Sequence, residues 1–105
     1  MPSNKEFLDF ILEQLSELDE ISYRPMMGEF TIYYRDKIIG GIYDDRFLLK
    51  ETKSALKMMP DVEKQLPYTG AREMLVVNNV EDRFFLKELI EAMYDELPAK
   101  KKRKL

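Results

Sequence analysis

Apolar residues recur every three or four positions over residues 1–19, with acidic residues between them. The residues at this spacing are Phe7, Phe10, Ile11, Leu15 and Leu18. Residues spaced in this way lie on one side of an α-helix, so residues 1–19 are predicted to form a helix packed on a sheet. Ser3 and Glu6 have the spacing of a capping box at the start of this helix.

Between Ile21 and Lys50 the pattern changes to short apolar runs separated by polar pairs, which is typical of antiparallel strands joined by tight turns. The predicted elements are an extended segment over Ile21–Met27, strands over Phe30–Arg35, Ile38–Tyr43 and Arg46–Lys50, and turns at Asp36-Lys37 and Asp44-Asp45. Pro25 has no backbone N–H to donate to a neighbouring strand, so the first segment is predicted at the edge of the sheet. The three strands that follow form a predicted antiparallel meander.

The predicted turns also set the pairing of these strands. Two-residue loops place Tyr34 opposite Ile39, Ile32 opposite Gly41, Phe30 opposite Tyr43 and Gly41 opposite Leu48. Both faces of such a sheet carry more large apolar side chains than a solvated face needs. One face is predicted to carry Phe30, Ile32, Tyr34, Ile39 and Leu48, and the other Tyr33, Ile38, Ile42, Phe47 and Leu49. Two long helices cover one face, so we expect more of the chain or a second copy to cover the other, and a homodimer is predicted. Gly40 and Gly41 leave a predicted gap for a helix or a partner.

After Lys50 the chain returns to helical patterns around one short apolar run. The predicted elements are a helix over Thr52–Met59, a loop over Asp61–Arg72, a buried strand over Met74–Val77 and a helix over Val80–Leu97. The short helix is predicted to be capped near Glu51 or Thr52 and stopped by Pro60. Asn78 or Asn79 is the predicted N-cap of the last helix, and Pro98 is predicted to end it. The apolar stripe of the last helix consists of Phe85, Leu86, Leu89, Ile90, Met93 and Leu97. The predicted fold is therefore α+β: an N-terminal helix, an antiparallel meander, a short helix, one further strand and a long C-terminal helix packed on the sheet.

Composition narrows the chemistry. The chain has 105 residues, which favours one domain, here residues 1–98. It has no cysteine and no histidine. The absence of cysteine excludes disulfide bonds and thiolate metal sites. The absence of histidine excludes the commonest metal ligand and the commonest general base near neutral pH. We therefore expect no catalytic residues, no metal and no cofactor.

Charge is divided unevenly along the chain. The formal net charge is −3, but Lys100, Lys101, Lys102, Arg103 and Lys104 form an unbroken basic run. Without these five, the other 12 basic residues face 20 acidic ones, which leaves a formal charge of −8. Residues 99–105 are predicted to be a disordered tail with weak, nonspecific affinity for nucleic acid. No stretch approaches the length of a membrane span and the N-terminus lacks a secretory signal, so a cytoplasmic protein is expected.

Four segments resemble the TfoX N-terminal domain family. They are Arg24-Pro25-Met26-Met27-Gly28-Glu29, Gly41–Lys50 (GIYDDRFLLK), Pro67–Met74 (PYTGAREM) and Ala92–Pro98 (AMYDELP). The family includes bacterial regulators of natural competence, also called Sxy, in which this domain precedes a helical C-terminal domain; this chain resembles the stand-alone members. The resemblance implies an α+β fold and a regulatory or protein-interaction role with an unidentified protein partner. The family has no agreed catalytic residues, so the resemblance implies none here.

Two groups of polar residues within these segments are candidate sites. Arg24, Arg46, Lys50 and Arg72 would form an anion pocket if they converge, or else salt bridges with nearby acids. Glu29 is placed near Asp44 and Asp45, and such a group can bind a divalent cation weakly or act as an acid/base pair. The simpler interpretation is that Asp44-Asp45 suits a turn. The candidate anion- or partner-binding residues are Arg24, Glu29, Arg46, Lys50 and Arg72.

The function expected from these observations is a non-enzymatic regulatory or protein-interaction module. One alternative is a nucleic-acid-associated protein that uses the basic run Lys100–Lys104. A carboxylate-based, metal-dependent enzyme is the other. Stacking platforms for bases are a further interpretation of the tyrosines Tyr23, Tyr33, Tyr34, Tyr43 and Tyr68. The acidic body opposes that use, so core and interface packing is the better interpretation.

Overall fold

The computed structural model describes residues 5–26 and 28–97. Its elements are α1 (Lys5–Gln14), β1 (Ile21–Met26), β2 (Glu29–Tyr34), β3 (Lys37–Tyr43), β4 (Arg46–Leu49), α2 (Lys53–Met58), β5 (Glu63–Gln65), β6 (Met74–Val76) and α3 (Arg83–Tyr94). The predicted fold class is confirmed. The predicted capping pair and helix stop involve Ser3 and Pro98, which lie outside the described residues, as does the predicted tail over residues 99–105.

The strands form one antiparallel sheet in the order β1-β2-β3-β4-β6-β5. β1 to β4 are a meander, and β1 lies at the edge, as its proline predicted. The prediction of a plain loop over Asp61–Arg72 is wrong in part, because Glu63–Gln65 forms β5 and pairs with β6. This strand has only three residues, all polar, and therefore lacks the apolar alternation by which strands are predicted.

The core is a single cluster between the helices and one face of the sheet. From the sheet it contains Ile32, Tyr34, Ile39, Ile42, Phe47 and Leu49; from the long helices it contains Leu8, Ile11, Leu86, Leu89, Ile90 and Met93. The apolar stripe of α3 is buried as its spacing predicted. The N-terminal stripe is confirmed in part: Ile11, Leu15 and Leu18 are buried, but Phe10 is exposed, and α1 ends at Gln14, before Leu15 and Leu18. α2 contributes Ala55, and Thr52 is its N-cap, with its hydroxyl accepting a 3.1 Å hydrogen bond from the Ala55 amide.

α3 begins later than predicted. Asp82, and neither Asn78 nor Asn79, is its N-cap, and the Asp82 carboxylate accepts a 3.0 Å hydrogen bond from the Phe85 amide. Asn79 instead accepts a bond from the Asp82 amide in a turn before the helix. The buried side chain of Gln14 binds the Val80 carbonyl at 2.8 Å, and this tertiary contact holds the turn out of the helix.

The β2–β3 pairing differs from the predicted register. Arg35 takes a left-handed conformation (φ 58°), so the turn consists of Arg35 and Asp36 instead of Asp36 and Lys37. The observed pairs include Tyr34 with Lys37, Ile32 with Gly40 and Phe30 with Ile42, with a register shift between Ile32 and Tyr33. The predicted pairs of Tyr34 with Ile39, Ile32 with Gly41 and Phe30 with Tyr43 are therefore wrong. The pair of Gly41 with Leu48 is confirmed.

This register redistributes the side chains between the two faces of the sheet. Ile42, Phe47 and Leu49, predicted on the face opposite to Ile32, join it in the helix-side core. We use the term second face for the opposite side, which carries Thr31, Tyr33, Ile38, Tyr43 and Leu48.

Neither glycine of the central pair has room for a side chain. A Cβ atom on Gly41 would meet the Phe30 carbonyl oxygen and lie 2.8 Å from the ring of Tyr43. A Cβ atom on Gly40 would meet the backbone of Leu48 and Leu49. A side chain at either position would therefore collide with the neighbouring strand, and at Gly41 also with the tyrosine ring, which explains the need for residues without side chains there.

The turn between β2 and β3 is attached to the end of α3. Lys37 donates a 2.8 Å hydrogen bond from Nζ to the Tyr94 carbonyl, and the same nitrogen lies 4.2 Å from the centre of the Tyr94 ring. The Tyr94 hydroxyl donates to Asp36 at 2.9 Å. A cation at the C-terminal end of a helix also interacts favourably with the helix dipole.

Candidate functional site

The second face of the sheet is partly covered by residues 66–73, which we name the covering loop. Gly70 (φ 90°) permits its turn, and the Ala71 amide donates to the Tyr68 carbonyl at 3.2 Å. The Tyr68 ring packs at a tilt against that of Tyr43, with 6.3 Å between their centres. The covering loop is thereby placed across the middle strands.

A cleft of about 450 Å³ remains between the covering loop and the second face. The sheet lines it with Thr31, Tyr33, Ile38, Gly40 and Tyr43; the loop lines it with Pro67, Tyr68, Ala71, Arg72 and Glu73. Met26, Lys50, Glu51, Thr52, Met74, Glu96 and Leu97 complete the lining. Its walls are thus mostly apolar and aromatic, with a few polar groups, which is the usual composition of a binding site for a small molecule.

Tyr43 is a partly buried polar group on the sheet side of the cleft. Burial raises the pKa of its phenol above the usual value, while a hydrogen bond with Thr31 partly offsets this effect. The hydroxyl is therefore neutral at physiological pH and available as a hydrogen-bonding group.

Lys50 and Arg72 bring two positive charges to the cleft. Burial, and then the nearby charge of Arg72, lower the pKa of the Lys50 ammonium below its usual value. In the part of the chain that the structure describes, ion pairs are formed by Arg35, Lys64 and Arg83, and none involves Lys50 or Arg72. The cleft therefore contains two neighbouring cations that lack a bound carboxylate within residues 5–26 and 28–97.

Most of the acids around the cleft are engaged elsewhere. Glu51 forms a 3.2 Å ion pair with Lys64. Glu96 accepts a 2.9 Å hydrogen bond from the Ser54 amide and a second from the Ser54 hydroxyl, at the start of α2. Glu73 is the third lining acid, and it forms no described ion pair with Lys50 or Arg72.

The four predicted basic residues do not converge as a group. Arg46 donates to the Tyr43 carbonyl at 3.1 Å and to the side chain of Gln65, which attaches the β3–β4 hairpin to β5. Arg24 is exposed on the edge strand and does not line the cleft. Only Lys50 and Arg72 lie together, so the predicted pocket is reduced to a pair. The alternative prediction, that these four residues form salt bridges, is also wrong for the described part of the chain, because none of the four occurs in its ion pairs.

The predicted carboxylate group belongs to a turn. Asp44 and Asp45 both have positive φ, 53° and 55°, as a two-residue hairpin turn requires. The Glu29 carboxylate accepts a 2.9 Å hydrogen bond from the Asp44 amide. Among the described residues, no group of three acidic side chains is placed to hold a metal ion.

Several lining residues have no marker in the sequence. Ile38 and Thr52 have ordinary strand and cap patterns, and Glu73 and Glu96 are two of many acids. For Tyr43 and Tyr68 the sequence predicts packing or base stacking and gives no sign of a cleft. Because the cleft unites strands, the covering loop and the end of α3, no local spacing identifies it.

Comparison with known proteins gives a family and one relative of undefined function. Over its described residues the chain has no helix long and apolar enough to cross a membrane. A protein of Spirochaeta aurantia described as "Uncharacterized 12.7 kDa protein in trpE 5'region" is 29% identical over 105 residues, spanning 99% of this chain and 91% of that protein. No solved structure matches the chain significantly. The model of the TfoX N-terminal domain matches residues 13–95, and with this match over most of its length the chain belongs to the TfoX N-terminal domain family.

Proposed function

We propose that this protein is a non-enzymatic regulatory module that acts by binding a partner protein in the bacterial cytoplasm. The observation that carries the proposal is the family match over residues 13–95, since the family includes regulators of competence. The complete lack of histidine and cysteine in the sequence also supports a binding role over catalysis.

Exposed apolar side chains around the cleft provide a surface for such a partner. Met26, Leu66 and Tyr68 are 55%, 48% and 64% exposed, and they lie on the edge strand and the covering loop. Aromatic residues and methionine are enriched where proteins bind one another. Of the predicted partner-binding residues, Arg24 remains exposed on the same edge strand, whereas Glu29 and Arg46 bind within the chain.

The test is affinity capture with the full chain as bait in a lysate of the source organism. A specific partner should be retained at moderate salt by the wild type and lost by the double variant Leu66→Ser, Tyr68→Ser. Phe84→Ser is the matched control, because Phe84 is 71% exposed on α3 and does not line the cleft. Equal capture by all three baits, or capture that fails at moderate salt, would contradict the proposal.

A homodimer remains a proposal of its own. The dimer was predicted because the two long helices cover only one face of the sheet. The covering loop covers part of the second face. The apolar residues around the cleft are the surface left for a second copy. Sedimentation at micromolar concentration should give twice the chain mass of 12.5 kDa; a clean monomer would show that the loop alone is sufficient cover.

A further inference from the structure

We propose that the cleft binds a small anion carried on a flat apolar body, such as an aromatic carboxylate or phosphate ester, with Lys50 and Arg72 holding the anionic group. This ligand site goes beyond the proposed protein-binding role and does not depend on it. The ligand would enter beside the covering loop and lie against the second face of the sheet.

The size and lining of the cleft suit a molecule of about one ring. Its volume of about 450 Å³ falls within the range of roughly 300–1,000 Å³ that is usual for small-molecule sites. Tyr33, Ile38 and Tyr43 present an aromatic and apolar surface from the sheet, and Pro67 and Tyr68 face them from the loop. Aromatic rings pack well against flat partners at such surfaces.

The charges of the cleft indicate the sign of the ligand. Lys50 is partly buried beside Arg72, and neither has a carboxylate at ion-pair distance among the described residues. Glu51 is neutralised by Lys64, while Glu73 and Glu96 keep their charges; none of the three forms a described ion pair with Lys50 or Arg72, so the two cations are available to an anion at their own end of the cleft. A bound anion would relieve both the repulsion between the cations and the loss of solvation at Lys50, which are the causes that lower its pKa.

The hydrogen-bonding geometry of Arg72 and Lys50 also suits an anionic group. A guanidinium forms paired hydrogen bonds with a carboxylate or phosphate, and an ammonium adds a mobile point charge. Thr31 and Tyr43 supply further hydroxyl groups on the sheet side for a polar substituent on the ring. The shared chemistry is thus an oxyanion next to an aromatic body, and the probes below distinguish a carboxylate from a phosphate.

The experiment is a titration of the full chain, followed by ¹H–¹⁵N NMR, with four probes: benzoate, phenyl phosphate, inorganic phosphate and neutral benzamide. Benzoate or phenyl phosphate should give saturable shifts at the amides of Tyr43, Lys50 and residues 66–73. Whichever of the two binds more tightly identifies the anionic group. Inorganic phosphate and benzamide should each bind at least tenfold more weakly, because each lacks one half of the required chemistry.

Charge-neutral variants test the two cations. Lys50→Gln and Arg72→Gln should each weaken the preferred anionic probe at least tenfold, while Lys57→Gln, the same change at an exposed lysine of α2, should leave its affinity unchanged. Arg72 is exposed, so Arg72→Gln should fold even if Lys50→Gln does not. Partner capture is measured without probe, so failure here is separate from failure of the proposed function.

Three results would overturn the proposal. The first is the absence of saturable binding by both aromatic anions at millimolar concentration. The second is equal affinity for one of the two control probes. Equal affinity for benzamide would show that the cleft does not use the ligand's charge, and equal affinity for inorganic phosphate would show that it does not use the apolar body. The third is an equal loss of affinity for the anionic probe in Lys57→Gln, which would show that binding depends only on the net charge of the protein.

Discussion

The paired substitutions Leu48→Ala and Leu49→Ala test whether the sheet is covered on both sides. These neighbours lie on β4 and both have 0% exposure, but only Leu49 belongs to the helix-side core. Leu48 pairs with Gly41 across the strands, and the ring of Tyr43 lies over that glycine. The complete burial of Leu48 therefore depends on the second face being closed.

The structure allows the two losses of stability to be ranked. Removing a buried leucine side chain costs about 2–5 kcal/mol, made up of the lost transfer free energy and the cavity left behind. Leu49 is surrounded by packed helices and strands, which relax little, so we expect about 3–5 kcal/mol for Leu49→Ala. Leu48 lies on the side of the covering loop, which moves more easily into a void, so we expect about 2–3 kcal/mol for Leu48→Ala.

Urea unfolding followed by far-ultraviolet circular dichroism measures both changes. Each midpoint should fall with an unchanged m-value, and the midpoint of thermal unfolding should fall by roughly 4–8 °C for each kcal/mol. The reasoning is refuted if Leu49→Ala shows its expected loss while Leu48→Ala loses less than about 1 kcal/mol, the value for a side chain near the surface. The covering loop would then be open in solution.

Three further predictions concern the α2 cap, pH and the tail. Thr52→Ala should destabilise the fold by about 0.5–2 kcal/mol in urea unfolding, because the Ala55 amide loses its acceptor, whereas Thr69→Ala in the exposed loop should be neutral. Hydrogen bonds from the side chain and then the backbone of Ser54 lower the pKa of Glu96. The Glu96 carboxylate therefore contributes its full share to the free energy of unfolding above the pKa that this group has in the unfolded chain. That share is lost as the pH falls through its pKa in the folded protein. In urea unfolding at a series of pH values, the stability of Glu96→Gln should fall less on acidification than that of the wild type. Deleting residues 99–105 should abolish DNA binding in a mobility-shift assay, and wild-type binding should weaken steeply with salt; sequence-preferring binding that survives the deletion would indicate a specific DNA regulator instead.

Local patterns predicted the elements well. The helical stripe of α1, the proline at the edge strand, the cap and apolar residues of α2, and the stripe of α3 each involve residues within a few positions of one another. Such signals arise from backbone conformation, capping and the burial of one side, all of which act over one or two turns of chain. The order of elements and the α+β class followed from them.

The candidate site was only partly predictable. Lys50 and Arg72 were among the candidates, but the sequence treated Arg24 and Arg46 as their equals. Which cations meet depends on the covering loop and on the pairing of β4 with β6, so contacts between residues far apart in the chain decide it. The aromatic and apolar lining is distributed over five segments of the chain and has no sequence signature.

The sequence by itself determined the number and kind of the major elements, the edge position of β1 and the lack of histidine and cysteine chemistry. Only the tertiary structure decided the β2–β3 register, since Arg35 and a register shift moved the turn by one residue and reassigned Ile42 to the core. Only the tertiary structure formed β5, whose polar residues become a strand because β6 offers them an edge to pair with. In each case a long-range contact outweighed a weak local preference, because strand propensity depends strongly on what lies beside the strand.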